Sequence, residues 1–233
     1  MMDRSFIEKI ESMAQNEMFY ENGATYSTKL LHRIDEPECE PLRVSSLESM
    51  IALTRAELSA LDSMNFIIVV TPTELSCKTS FFGNKQRDTL YKAVADLPII
   101  EFDNYMSIEN MIISLKSKFQ ETPDREYLIN LLGNITDEKS VNTMDDGITQ
   151  QVTAKTGIQL QSKQNVKAIV KLKPYRTFIS VEQPESDFLI RLKGGQAALF
   201  EADGGAWKNE AKNNIAEYIR KALSDMKNII VAE

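Results

Sequence analysis

The sequence predicts an α+β protein: antiparallel β-sheets packed with amphipathic helices, the last sheet closed by a C-terminal strand, turn and helix. Three observations carry that prediction. Apolar residues recur at spacings of three and four near both ends and in the middle, as in "FIEKIESM" and "NNIAEYIRKAL". Runs rich in β-branched and aromatic residues, such as "NFIIVV" and "DFLIRL", lie among them. From about residue 138 the texture shifts to alternating polar and β-branched residues broken by glycine pairs.

Taken in order, Phe6, Ile7, Ile10 and Met13 share one face of a first helix, with Asp3 as its cap. "ATYSTKLLHRI" reads as a strand. "DEPECEP" at 35–41, with two prolines and four acids, reads as an exposed connector. In "SSLESMIALTRAEL", Ser45 or Ser46 caps a helix whose buried face holds Leu47, Met50, Ile51 and Leu58. "NFIIVVTPTELSCKTSFFG" is a hairpin turning at "TPTE". Ser107 caps a helix carrying Ile108, Met111, Ile112 and Leu115, and "PDREYLINLLGNI" follows as a second helix ending near Gly133.

Asp146-Gly147 then marks a hairpin between two alternating runs. "VKAIVKLKPYRTF" and "DFLIRLKGGQAALFEA" continue as strands, the second folding on Gly194-Gly195. The final helix sets Trp207, Ala211, Ile215, Tyr218, Ile219 and Leu223 on one side, and "NIIVA" adds an edge strand. The organisation is a mixed α/β part over 1–137 and a sheet-plus-helix part over 138–233, which can also be read as one continuous domain.

With 233 residues, 42% of them hydrophobic, the chain can bury a real core. A formal charge of −7 weighs against a protein that coats nucleic acid. The charge is uneven: residues 1–150 hold 14 basic against 25 acidic residues, and 151–233 hold 13 against 9. A small anion would be sought in the C-terminal part. Two cysteines, Cys39 and Cys77, without a signal-peptide pattern predict free thiols in a reducing cytosol. No apolar run approaches the ~20 residues that a membrane span needs.

For chemistry, the single histidine, His32, sits among Leu30, Leu31 and Ile34 and reads as a strand residue. One histidine and two dispersed cysteines cannot supply zinc spacing, and neither common phosphate-binding glycine loop is present. Glu182, Glu201 and Asp203 could converge on a metal for phosphoester hydrolysis. Against that, Asp203-Gly204-Gly205 has the composition of a strand-to-helix turn, with a carboxylate to accept from the first helical amides. Asp145-Asp146-Gly147 is read as a turn before it is read as a calcium loop. Lys173, Tyr175, Arg176, Arg191 and Lys193 form the candidate ligand-binding set, because guanidinium and aromatic groups on adjacent strands suit an anionic, ring-bearing ligand such as a nucleotide. The competing reading pairs Arg176 and Arg191 with Glu182 and Glu201 across the sheet.

The strings "DDGITQQVTAKTGI", "LKPYRTFISVEQPESDFLIRL" and "ALFEADGGAWKNEA" resemble the YfdQ-like proteins of bacteriophages and prophages, a family of unknown function. With "SLESMIAL" and "MSIENMIISLKSKF" the likeness spans roughly residues 45–225. It implies a phage or prophage origin and expression inside a bacterial cell, and it carries over no catalytic residue.

Together these features predict a phage-encoded, non-enzymatic accessory protein in the cytoplasm of the bacterial host. It would counter antiviral defence by binding, either sequestering a nucleotide-type signalling molecule or occupying a host defence protein. Two alternatives stay open: a recombination or replication factor contacting DNA or its machinery, and a metal-dependent phosphoesterase using Glu182, Glu201 and Asp203. No cofactor is expected, and pairing of the strand at 228–232 would serve a homo-oligomer.

Overall fold

The computed structural model describes residues 4–14, 17–21, 24–27, 40–60, 62–81, 86–134, 150–156 and 160–233. The chain divides into two compact units, Met1–Glu38 and Cys39–Glu233. The fold is α+β, as the periodicity predicts.

In the first unit, helix α1 (Arg4–Ala14) carries the expected apolar face but buries none of it: Phe6, Ile7, Ile10 and Met13 are all exposed. Strands β1 (Met18–Glu21) and β2 (Ala24–Ser27) pair antiparallel, Phe19 opposite Tyr26. The expected strand "ATYSTKLLHRI" is thus a strand over Ala24–Ser27, and its remainder, with His32, lies outside the described residues, as does Cys39.

The second unit opens with β3 (Leu42–Val44) and α2 (Leu47–Leu58). Ser46 caps α2 by accepting from the amide of Ser49. Strands β4 (Asn65–Thr71), β5 (Glu74–Thr79) and β6 (Thr89–Val94) then form a meander. A two-residue strand, β7 (Met106–Ser107), leads into α3 (Ile108–Lys118) and α4 (Pro123–Gly133). Ser107 and Thr122 cap these helices through the amides of Asn110 and Arg125. The buried Arg125 fastens the pair, donating from Nε to the Leu115 carbonyl at 2.8 Å and from Nη2 to that of Lys116 at 3.1 Å.

Strands β8 (Gln150–Thr156) and β9 (Leu160–Val166) pair antiparallel with each other. Their register runs from Gln150 opposite Val166 to Thr156 opposite Leu160; the turn expected at Asp145-Asp146-Gly147 lies outside the described residues. β10 (Ile169–Leu172), β11 (Ser186–Lys193) and β12 (Gln196–Glu201) follow, then α5 (Trp207–Ala222) and β13 (Ile229–Ala232). β11 and β12 fold on Gly194-Gly195, both at positive φ.

Two sheets organise this unit. One has the order β13-β4-β5-β6-β3, with β13 parallel to β4 and β3 parallel to β6. The other has the order β10-β11-β12-β7. α2 and α5 cover one face of the five-stranded sheet in a core of Leu47, Met50, Ile67, Leu75, Tyr91 and Ile215. α3 and α4 cover the four-stranded sheet around Met111, Leu115, Leu128, Phe188 and Ile190. The last helix thus follows a strand of one sheet and packs on the other. The tail strand joins residue 65's strand rather than its own neighbours, so pairing crosses the 137/138 boundary drawn from the sequence.

One strand is shorter than the sequence suggests. "VKAIVKLKPYRTF" is extended in a ladder only through Leu172; Pro174, with no amide to donate, makes a single bridge to Phe119, and 173–185 leave the sheet. That segment joins the two cores. Phe178 and Val181 enter the five-stranded core, and Thr177 Oγ1 donates to the Pro72 carbonyl at 2.6 Å.

Candidate functional site

The 173–185 segment meets the junction between β12 and α5, and six of the eight sequence-nominated residues lie on or beside this meeting. Buried Gln183 shapes the segment. Its Oε1 accepts from the amides of Arg176 (3.0 Å) and Thr177 (3.2 Å), while Nε2 donates to the carbonyls of Thr177, Phe178 and Val181. A buried amide side chain that closes a loop in this way satisfies backbone groups that no strand can.

So held, Arg176 points its guanidinium into the junction. Nη1 donates to Glu201 Oε1 at 2.5 Å and Nη2 to the Ser186 hydroxyl. The group lies on Trp207, its central carbon 3.8 Å from the ring centroid. Only 8% of the side chain is exposed. Burial pulls the guanidinium down to about 10, against the opposing pull of Glu201 and Asp203.

Asp203 is spent on the turn. Its Oδ1 accepts from the Gly205 amide at 3.0 Å and its Oδ2 from the Trp207 amide at 3.3 Å. Gly204 (φ 63°) and Gly205 (φ 80°) take the left-handed conformations that let the chain reverse into α5. Burial would raise the Asp203 carboxyl, yet the two amides, Ser186 and Arg176 outweigh it and hold it below its usual range. Glu182 is held down by Lys173, whose Nζ donates to it at 2.8 Å and is itself raised by that pairing. Among the described residues, no three histidine, cysteine, aspartate or glutamate side chains gather as metal ligands would.

The five ligand-binding candidates do not form one site. Ser186, Phe188, Ile190 and Leu192 alternate into the core of the four-stranded sheet, and Arg176 joins that face beside Ser186 and Phe188. Arg191 and Lys193 stand on the other face of β11, Arg191 across from Ala198 and Lys193 exposed at the strand end. Tyr175 is half-buried, and its amide donates to the Lys118 carbonyl at 2.9 Å. Of the cross-sheet pairs weighed from the sequence, the structure forms Arg176 with Glu201, while Glu182 goes to Lys173. Two donors in the stack, Arg176 Nε and Trp207 Nε1, find no acceptor, but Glu201, Asp203 and Glu210 all act on Arg176, a setting that opposes a phosphate.

Sequence reading missed Gln183, Ser186 and the stacking role of Trp207. Only Trp207 left a signal, as the lone tryptophan beside two glycines.

No family model matches the chain, and neither a curated protein nor a solved structure does.

Proposed function

We propose that this protein acts by binding rather than by catalysis, as a phage-type accessory protein that counters bacterial defence by occupying a host protein. One observation carries the reading: each carboxylate nominated for catalysis is committed to an internal partner, Glu201 to Arg176, Asp203 to the amides opening α5 and Glu182 to Lys173. A general base or metal ligand acts through oxygens aimed at a substrate; both oxygens of Asp203 hold the turn into α5, and one oxygen each of Glu201 and Glu182 is bonded to the 173–185 segment. The phage setting rests on the likeness of the C-terminal strings. The choice of a protein over a nucleotide target is supported by the placement of Arg176 and Arg191 on opposite faces of β11.

Native mass spectrometry of protein purified from bacterial cells, with and without a panel of cyclic and linear nucleotides plus magnesium, tests this. The expected result is no nucleotide adduct and no hydrolysed product, together with one host protein co-purifying in stoichiometric amount. A stoichiometric nucleotide adduct would replace it with sequestration, and turnover would replace it with an enzyme.

A further inference from the structure

Among the described residues of the second unit, helices pack on one face of the five-stranded sheet, and the composition of its other face departs from what water tolerates. A solvated antiparallel face is ordinarily polar by strict alternation. β4, "NFIIVVT", is instead apolar on both sides: Ile67 and Val69 enter the core, and Phe66, Ile68 and Val70 point the other way. Register places Ile230 beside Phe66 and Val94 across from Glu74 on this second face. Val70 is 51% exposed, Val94 and Ile230 each 44%. A run of this composition belongs to a strand covered on both sides.

The rim of this strip is cationic. One row crosses the sheet as Ala232, Ile68, Ser76, Lys92 and Arg43, so two like charges stand side by side on neighbouring strands, an unfavourable arrangement in isolation. Lys78 lies across from Phe66. Arg87 is held between two rings, 4.5 Å from the centroid of Phe66 and 3.9 Å from that of Phe81, which is 63% exposed. Among the described residues none of these four cations has a carboxylate partner, whereas Arg55, Arg125, Lys167, Lys173, Arg176 and Arg220 all do. Glu74 is the one acid in the five strands whose register sets it on this face. Four cations without a carboxylate partner thus border an apolar strip in which Val70, Val94 and Ile230 are exposed, Phe66 and Ile68 half-buried and Ser76 buried.

We propose that this face docks an acidic protein partner, an apolar ridge of which covers Ile68, Val70 and Ile230 while its carboxylates meet Arg43, Lys78, Arg87 and Lys92. The inference rests on the binding reading above and names its surface and the chemistry of its target. A single-stranded nucleic acid fits less well. The centre of the strip is aliphatic rather than a series of open rings, and the exposed ring, Phe81, already carries Arg87.

Fluorescence anisotropy with a synthetic amphipathic peptide of about 16 residues, leucines at helical spacing and glutamates on both flanks, tests the proposal. The same peptide with lysine flanks and an oligothymidine strand serve as counter-probes. Wild type is expected to bind the glutamate peptide and not the lysine peptide. Lys78→Glu with Lys92→Glu, and separately Val70→Asp, should each weaken that binding about tenfold or more. Melting should hold in both, because the sites are at least partly exposed and Lys92→Glu supplies Arg43 with an opposite charge. Lys193→Glu on the other sheet should bind as wild type does. No binding of the glutamate peptide, or equal binding by the charge-reversed variant, overturns the proposal; oligothymidine binding lost in the same variants would make the face a nucleic-acid surface. A host protein retained by the charge-reversed variant would remove this face and leave the binding reading standing.

Discussion

The Arg176 guanidinium sits over Trp207, its central carbon 3.8 Å from the ring centroid, and through that contact the 173–185 segment is fixed to the first turn of α5. The same guanidinium reaches Glu201 at the end of β12 and Ser186 at the start of β11. One side chain therefore ties a loop, two strands and a helix.

Replacing Arg176 with alanine should cost about 2–4 kcal/mol, since it empties a stacked position and strands Glu201 and Ser186, with Glu201 partly rehydrated. Arg176→Lys keeps the charge but loses the planar fork and much of the stack, and should cost roughly half as much. Urea denaturation of the three proteins checks both values; an alanine variant as stable as wild type would mean that the cluster does not bind the junction together.

Asp124, in the first turn of α4, accepts from Lys167 Nζ with both oxygens at 2.8 Å and from the Lys171 amide at 2.7 Å. Burial would raise its carboxyl, but these bonds and the two lysine charges outweigh it and hold the folded value below the ordinary 3.8. A depressed folded pKa gives stability that is present above the unfolded value and is lost as pH falls through the folded one. The urea midpoint of wild type should thus fall as pH drops from about 5 toward 2. Asp124→Asn should start lower and fall less over that window.

Cys77 is fully buried in the five-stranded core, and burial pushes its thiol up to about 12. The reactive thiolate is therefore scarce, and the sulfur is out of reach. Iodoacetamide followed by peptide mapping should leave Cys77 unlabelled in native buffer and label it in denaturant. Native labelling would contradict the packing of β5 against α2 and α5.

Local signals in the sequence locate most elements. Ser107 and Thr122 sit directly before helical periodicity, and each caps its helix as its chemistry dictates. Gly194-Gly195 turns β11 into β12 where the glycine pair stands. Pairings between distant segments leave no such local mark: nothing near residue 229 announces that β13 will lie parallel to β4. The candidate site was partly legible for the same reason. Alternation of Phe188, Ile190 and Leu192 already separates Arg191 and Lys193 from the core face, but whether Arg176 shares that face depends on a loop shaped by Gln183. The unbroken "FIIVV" is the plainest clue that β4 is apolar on both faces of the five-stranded sheet, since a strand wetted on one side would alternate.

The most direct test of the central claim, that the junction carboxylates serve structure and the protein works by binding, is to measure nucleotide and nucleic-acid turnover with magnesium or manganese beside the melting temperature, for wild type and Asp203→Asn. The account predicts no turnover by either protein. It also predicts a melting temperature lower in the variant by about 2–4 °C, the equivalent of roughly 1 kcal/mol for the weakened bonds from the Gly205 and Trp207 amides. Turnover by wild type that vanishes in Asp203→Asn while melting is unchanged would contradict it.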